Sequence, residues 1–460
     1  MNPPLSWIVF VLLFASVVGT RHVSGADKPN VVLILADDMG LGDFASHNGG
    51  LNRTPSLDRL ADQSVWFQHA YSAAPVCAPA RASLLTGRYP HRTGVVTLNQ
   101  SLYPQLTQMR SDEITLANLF QDSGYVTGLI GKWHCGIAKE YQPLSRGFDE
   151  FEGFFDYKDV PSYFDYKLRI QDQQQPASDQ YLTRDLSARA IQFVRRHQQH
   201  PFFLHLAHYA PHRPLGAPKD RVAPYLDKGF DRDTATVYAM IEIMDEGIGQ
   251  LLDELDRLNL SENTIVIFAS DNGPDPVVAP RFNHELRGTK YTVYEGGIRV
   301  PFLVRWPGQF AAGKRSELIH FVDVLPTLVD LCRLERPSGL QLDGTSLAGL
   351  LKGDADDGAF PKQRFWQWNR KEPLFTHNAA VREGEWKLVR PFVTRGIPKG
   401  PSKQSPALYR ISTDPTESQD VSDQHPDRTA RMNAALDAWG TEVERDRTRP
   451  LLNPASDSAD

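Results

Sequence analysis

A chain of 460 residues, 41% hydrophobic and 23% charged, has ordinary globular usage and enough length for a large core. Its 50 basic and 56 acidic side chains leave a formal net charge of −6, which excludes the basic excess of a nucleic-acid surface. An anionic substrate would have to be met by a local cluster of cations. Three cysteines, Cys77, Cys135 and Cys332, are too few for a disulfide scaffold. The odd count leaves Cys77 unpaired, and Cys135 and Cys332 read as buried free thiols rather than a bridge.

In chain order, Trp7 to Val18 is an uncharged apolar run followed by the small residues Ser24-Gly25-Ala26. That pattern reads as a signal peptide over residues 1–26, with a core too short to span a bilayer comfortably. An exported protein follows, periplasmic or extracellular, with no membrane segment after signal removal. Val31 to Ala36 is a continuous β-rich run that ends in Asp37-Asp38. Leu116 to Ser123 reads as helix, Tyr125 to Ile130 as strand, and Pro201 to Leu206 as a further apolar run before His208-Tyr-Ala-Pro-His212. Residues Val237, Met240, Ile241, Met244, Ile248, Leu251, Leu252 and Leu255 keep the spacing of a long amphipathic helix. Thr264 to Ala269 is the next strand, running into Ser270-Asp271-Asn272-Gly273. A last core run covers Ile298 to Trp306, and a helix is expected near Phe321 to Leu331.

Strands alternating with helices predict an α/β fold with a large, mostly parallel central sheet sandwiched by helices. From about Ser346 the pattern changes to short strands at Arg364–Trp368, Ala379–Arg382, Trp386–Val389 and Leu408–Ile411, then a helix over Asp427 to Arg445. This predicts a small C-terminal antiparallel sheet plus helix. The division is a signal peptide at 1–26, a catalytic α/β domain at 27–345 and a smaller α+β subdomain at 346–460. Residues 170–179, rich in Gln and Asp, read as a surface loop, and the last dozen residues as disordered.

Ligands of parallel sheets sit beyond the carboxyl ends of the strands, and the polar clusters all fall there. Asp37 and Asp38 end one strand run, Asp271 and Asn272 another. If both strands are central and parallel, three carboxylates and an amide oxygen converge, a costly grouping without a cation. All-oxygen donors suit a hard ion, Ca²⁺ or Mg²⁺, rather than zinc. Arg81 lies four residues after Cys77, so a helix starting near Pro79 would bring it back beside Cys77. Lys132 and His134 follow the Tyr125 run, His212 follows the Phe202 run, and Lys290 stands upstream of Tyr294-Glu-Gly-Gly-Ile-Arg-Val-Pro301. These supply the local cations that the mild global charge calls for.

The string Cys77-Ala-Pro-Ala-Arg81-Ala-Ser-Leu-Leu-Thr-Gly87, continuing into Arg88-Tyr-Pro-His91, resembles the signature of the type I sulfatases of the alkaline phosphatase superfamily. The resemblance runs from about Pro29 to Val421 and includes Leu408-Tyr-Arg-Ile-Ser-Thr-Asp-Pro415. It implies an alkaline-phosphatase-like fold, and a maturation enzyme that oxidises Cys77 to formylglycine. It also implies Ca²⁺ held by Asp37, Asp38, Asp271, Asn272 and the modified Cys77. By the same resemblance Arg81 and Lys132 steady the formylglycine hydrate, and His134 holds its second hydroxyl and acts as base. Lys132 and Lys290 grip sulfate oxygens, and His212 protonates the leaving alcohol. One hydroxyl of the hydrate would attack sulfur, and loss of the other's proton would expel sulfate. The chain departs from the family at Ala80, often serine, and shows no matching serine after Gly147-Phe148-Asp149.

The implied activity is hydrolysis of sulfate monoesters, with a sulfated carbohydrate preferred as substrate over a simple aryl sulfate. The alternatives are a phosphate or phosphonate ester hydrolase of the same superfamily, and a non-catalytic sulfated-glycan binder if Cys77 is not converted. Two-zinc phosphatases of the superfamily use histidine ligands where this chain has Asp271-Asn272, which favours the sulfatase. Tyr157, Tyr163, Trp366 and Trp368 are better read as packing than as a carbohydrate cleft. Oligomeric state and the position of the sulfate are not legible.

Overall fold

The computed structural model describes residues 28–175, 180–278, 281–354, 361 and 363–451. The expected signal peptide at 1–26 lies outside the described residues, as do 452–460 of the expected disordered tail. A ten-stranded sheet is formed by β1 (Asn30–Ala36), β2 (Val65–Tyr71), β3 (Val126–Lys132), β4 (Glu150–Phe154), β5 (Arg169–Ile170), β6 (Gln173–Gln174), β7 (Phe202–Ala207), β8 (Thr264–Ser270), β9 (Phe302–Arg305) and β10 (Gly313–His320). Their order is β10-β2-β9-β8-β1-β7-β3-β4-β5-β6. β1 pairs in parallel with both β7 and β8, and β3 with both β7 and β4.

Every residue of β1 is buried, and successive side chains feed two different cores. Val31, Leu33 and Leu35 pack in one layer, with Leu84 of the Cys77–Thr86 helix and Leu325 of the Val324–Cys332 helix. Val32, Ile34 and Ala36 pack in the other, with Leu186 of the Leu182–His197 helix and Met240 of the Arg232–Arg257 helix. An unbroken aliphatic run is what a strand covered on both faces requires. The expected sandwich is therefore present. Cys77, Cys135 and Cys332 are all buried and free, as read from their number.

The structure adds to the sequence reading in three places. The Ile298 to Trp306 run is not one strand but the end of a short helix, Glu295–Ile298, followed by β9, which lies antiparallel between β8 and β2. The Gln/Asp-rich surface loop contains the β5–β6 hairpin, and its residues 176–179 lie outside the described residues. The β2 and β10 strands and the Leu182–His197 helix were not expected. β10 is an edge strand whose first six residues are exposed or half-buried, so it carries no apolar signal.

A second sheet, β11 (Gln363–Gln367), β12 (Ala379–Glu383), β13 (Trp386–Arg390) and β14 (Ala407–Arg410), is antiparallel throughout. The Pro426–Thr448 helix packs on it through Met432, Leu436 and Trp439. Buried polar contacts join this sheet to the first. Lys387 Nζ stands 2.9 Å from Glu295 Oε1 and 3.0 Å from Glu417 Oε1, and Tyr71 Oη donates to Glu295 Oε2 at 2.7 Å. Trp366 Nε1 donates to the Ser72 carbonyl at 2.8 Å. Trp366 and Trp368 are fully buried, so they pack rather than line a cleft.

Burial pushes the Glu417 carboxyl from its ordinary 4.5 up to about 7, against the pull of Lys387. Between those values the folded chain holds a proton that the unfolded chain has released, so stability falls as pH rises through the window. Urea unfolding of Glu417→Gln is expected to lose that slope, about 3 kcal/mol across the window. Equal slopes for both proteins would remove Glu417 as its source.

Candidate functional site

The site is set by strand register. β1 and β8 pair from Asn30↔Thr264 to Ala36↔Ser270, so the chain leaves both strands at one level. Asp37-Asp38 and Asp271-Asn272 emerge side by side there. The Asp271 amide donates to the Ala36 carbonyl at 3.1 Å, and the Asp38 amide to Asp271 Oδ1 at 3.2 Å. Asn272 Nδ2 donates to Asp38 Oδ1 at 2.7 Å. Gly273 must lack a side chain, because a Cβ there would lie 1.9 Å from the Gly296 carbonyl oxygen. That close approach brings the Lys290 segment down onto the strand ends.

Cys77 enters from β2. After Tyr71 the chain crosses to an extended Val76 and starts a helix at Cys77, two residues before the expected Pro79. All ten residues of the Cys77–Thr86 helix are buried. Arg81 is therefore one turn from Cys77 and on the same face. Its Nε and Nη2 donate to Asp271 Oδ2 at 3.0 and 2.8 Å, Nη2 lies 3.3 Å from Asp37 Oδ2, and Nη1 donates to the Lys132 carbonyl at 3.1 Å.

Two lysines complete the charge set. Lys132, the last residue of β3, places Nζ 2.5 Å from Asp37 Oδ2. Lys290 Nζ straddles Asp38, at 2.7 Å from Oδ1 and 2.8 Å from Oδ2. Burial alone would push the Asp37 and Asp38 carboxyls up. Lys132 and His212 outweigh it for Asp37, and Lys290 and His212 for Asp38, holding both below the ordinary range. Asp271 goes the other way, raised by burial and by the Asp37 charge beside it. Burial raises the Cys77 thiol, yet Lys132, Lys290 and a hydrogen bond with His212 bring it down to about 7. The same field favours any anionic atom at this position.

The residues fit a hard cation. Oxygens of Asp37, Asp38 and Asp271 come within 4.8 Å of one another, as do donor atoms of Asp37, Cys77 and His212. Asp37 Oδ1 and Asn272 Oδ1 are buried with no hydrogen-bond partner. Two orphaned acceptors beside crowded carboxylates are an arrangement that a divalent ion satisfies. A cation there would also offset the repulsion from Asp37 that, after burial, helps to raise the Asp271 carboxyl.

Both histidines present a definite nitrogen. His134 Nε2 lies 3.1 Å from the Leu98 carbonyl and so donates to it, which leaves Nδ1 as a bare acceptor, buried and unpartnered. Burial and Lys132 hold this imidazole neutral, at about 3. His212 Nδ1 faces the Arg213 carbonyl at 2.5 Å, and Nε2 is 3.7 Å from Asp38 Oδ2. Burial and the Lys290 charge lower its pKa. Asp38 and His134 have left-handed backbones, φ 70° and 64°, which sharpen the turns that aim them. Every residue singled out from the sequence thus meets at one strand edge. Sequence reasoning did not single out Tyr209, whose ring lies 5.3 Å from Lys132 Nζ and 4.7 Å from the His212 ring. Its place between His208 and His212 was the available signal. Tyr163 is buried against Tyr209, with Oη donating to the Tyr209 and His212 carbonyls at 2.8 and 2.9 Å.

A crowd of cations aimed at one buried point, beside a place for a divalent ion and two oriented imidazoles, is equipped to cleave an anionic ester. On the alkaline-phosphatase-like sheet, that makes the protein a hydrolase of this superfamily. Residues 29–334 match the model of the sulfatase family, and residues 287–439 that of the N-sulphoglucosamine sulphohydrolase C-terminal region. Human N-acetylgalactosamine-6-sulfatase is 35% identical over 437 residues, covering 86% of this chain and 82% of the relative. The N-acetylgalactosamine-6-O-sulfatase of Bacteroides thetaiotaomicron is 27% identical over 505 residues, covering 90% and 94%. A crystal structure of Ps i-CgsB superposes with a TM-score of 0.79 at 30% identity, covering 92% of this chain and 94% of that one. The chain belongs to the sulfatase family and is a sulfuric ester hydrolase.

Arg81 bridges two buried carboxylates and has no apolar substitute. Arg81→Met is expected to cost roughly 3–5 kcal/mol, because it leaves buried charge uncompensated. Equilibrium unfolding would measure it, and a loss under about 1 kcal/mol would show that Arg81 is not what compensates them.

Proposed function

We propose that the chain cleaves sulfate monoesters of a sulfated carbohydrate, with Cys77 converted to formylglycine by a maturation enzyme and Ca²⁺ bound at Asp37, Asp38, Asp271, Asn272 and the converted residue. The observation that carries this reading is the setting of Cys77, flanked by Lys132, Lys290 and His212 and beside the unpartnered oxygens of Asp37 and Asn272. When present, the formylglycine hydrate would supply the attacking hydroxyl, and the ion would polarise sulfate oxygens.

The chain's own residues account for the rest. Lys132 and Lys290 stay charged, because nearby carboxylates raise them despite burial. They hold sulfate oxygens as charge builds there. Arg81 keeps Asp37 and Asp271 fixed while it faces Cys77. His134 accepts a proton at its bare Nδ1. His212 has its Nδ1–H committed to a carbonyl, so the proton for the leaving alcohol is one carried on Nε2 by the protonated ring, which returns to the neutral form on delivering it. Residues 1–26 would direct export to the periplasm or outside the cell, and 27–345 and 346–460 would be the catalytic and C-terminal parts. Among the described residues no helix is long and apolar enough to cross a membrane.

A saccharide substrate is supported by the relatives' names and by a structure of Ps i-CgsB in complex with k-i-k-neocarrahexaose, 30% identical to this chain. A panel of sulfated mono-, oligo- and polysaccharides should yield free sulfate; turnover confined to small aryl sulfates would sink the carbohydrate reading. Aryl sulfate should exceed aryl phosphate in kcat/KM, and the reverse would make the protein a phosphoryl hydrolase. Active protein should contain Cys77 in the aldehyde form by peptide mass spectrometry, and an intact thiol would rule the conversion out. His212→Gln should lower kcat about 10²–10⁴-fold on alkyl sulfates and much less on 4-nitrophenyl sulfate, whose leaving group needs no proton. Equal losses on both would take the general acid role from His212.

A further inference from the structure

Beside the site stands a second group of cations that the reaction does not use. Arg213 Nη2 donates to Tyr291 Oη at 2.7 Å, and Arg395 Nη2 to the same oxygen at 3.2 Å. The Arg395 guanidinium lies 4.2 Å from the centre of the Tyr291 ring, and that of Arg370 5.9 Å. Arg370 Nε donates to the Arg395 carbonyl at 2.7 Å. Three guanidinium groups therefore gather about one phenol ring. Arg213 pairs with Asp275 at 3.2 Å, and no carboxylate lies within ion-pair distance of Arg370 or Arg395 among the described residues. Arg370 and Arg395, like charges held together without a counter-ion of their own, cost free energy that Tyr291 offsets only in part.

The platform is fixed relative to the chemistry. Tyr291 directly follows Lys290, whose Nζ is 5.8 Å from its ring centre, and Arg213 directly follows His212. Tyr291 has φ 83°, an outlying conformation for a bulky residue, held because its amide donates to the Pro75 carbonyl at 2.8 Å and its own carbonyl accepts from Asn378 Nδ2 at 2.8 Å. The Arg395 side of the platform is open to solvent, and the Arg213 side chain is 39% exposed. Exposed forks of this kind bind planar or tetrahedral oxyanions through paired N–H donors.

We infer that Arg213, Arg370 and Arg395 form a subsite for a second oxyanion on the substrate's alcohol side, a carboxylate or another sulfate, next to the ester that is cleaved. The inference rests on the sulfatase reading of the site. It makes the preferred substrate a polyanionic saccharide rather than an isolated sulfate ester.

Direct binding separates this claim from catalysis. The full chain carrying Cys77→Ala, which cannot turn over, is titrated calorimetrically with galactose 6-sulfate, galactose 4,6-disulfate, and galactose 6-sulfate linked to glucuronic acid. At least one dianionic probe should bind about 10-fold or more tightly than the monosulfate, and the tighter one identifies the second anion as sulfate or carboxylate. Arg370→Gln and Arg395→Gln should each erase most of that ratio and flatten its salt dependence, with partial rescue by Arg→Lys. Equal affinity for all three probes in the parent would overturn the subsite. So would variants that weaken every probe by the same factor, the mark of a merely structural role. Activity on 4-nitrophenyl sulfate, measured on the chain with Cys77 intact and converted, fails only if the sulfatase reading itself fails.

Discussion

The parallel, in-register pairing of β1 with β8 is the constraint on which the rest of this molecule depends. It brings Asp37, Asp38 and Asp271 to one level with their side chains buried. Three carboxylates so placed do not stay ionised without cations, and the surrounding structure is arranged to supply them. Arg81 arrives on a helix, Lys132 at the end of β3 and Lys290 on a loop, each from a different part of the chain. The cluster is balanced in charge but not in hydrogen bonds, since Asp37 Oδ1 and Asn272 Oδ1 remain unanswered. That residue of unmet demand is what distinguishes a site prepared for an ion and an anionic ester from a structural salt-bridge network.

Much of this was legible in the sequence because strand ends are legible. A buried parallel strand reads as a nearly continuous apolar run until it stops, so Asp37-Asp38 and Asp271-Asn272 stand out at the boundary. The Cys77 string carried its own signal through resemblance. What the chain did not disclose was anything decided by tertiary contact alone. β9 is four residues long and antiparallel, a direction that no local pattern encodes. β10 has an exposed, polar beginning, and so lacked the periodicity that exposes a core strand. Tyr291 looked like any loop aromatic, because its left-handed backbone is imposed by Pro75 and Asn378 from distant segments. Arg370 and Arg395 lie in the second sheet's loops, far in sequence from the Lys290 segment they approach.

The two imidazoles show how a fold assigns roles to identical side chains. A backbone carbonyl fixes one nitrogen of each ring, the Nε2 of His134 and the Nδ1 of His212. The remaining nitrogen is then the available one, bare in the first and directed toward the Asp38 side in the second. Neither assignment needs a neighbouring charge to be correct, although the charges tune both. Backbone carbonyls are good partners for this purpose, since they never change protonation during a reaction.

The reversed direction of β9 has a wider consequence. Because β9 runs antiparallel to β8, the chain leaves the sheet after Ser270 and re-enters it at Phe302 from the same end of the strands. A parallel neighbour would have required a crossover back to the opposite end of the strands. Residues 271–301 are thereby a tethered excursion that begins and ends beside the reacting centre. Its length is not tied to strand register, because both of its ends lie at the same end of the sheet. Asp271, Asn272 and Lys290 all belong to that one excursion, so a single connection supplies both a carboxylate and a cation to the site.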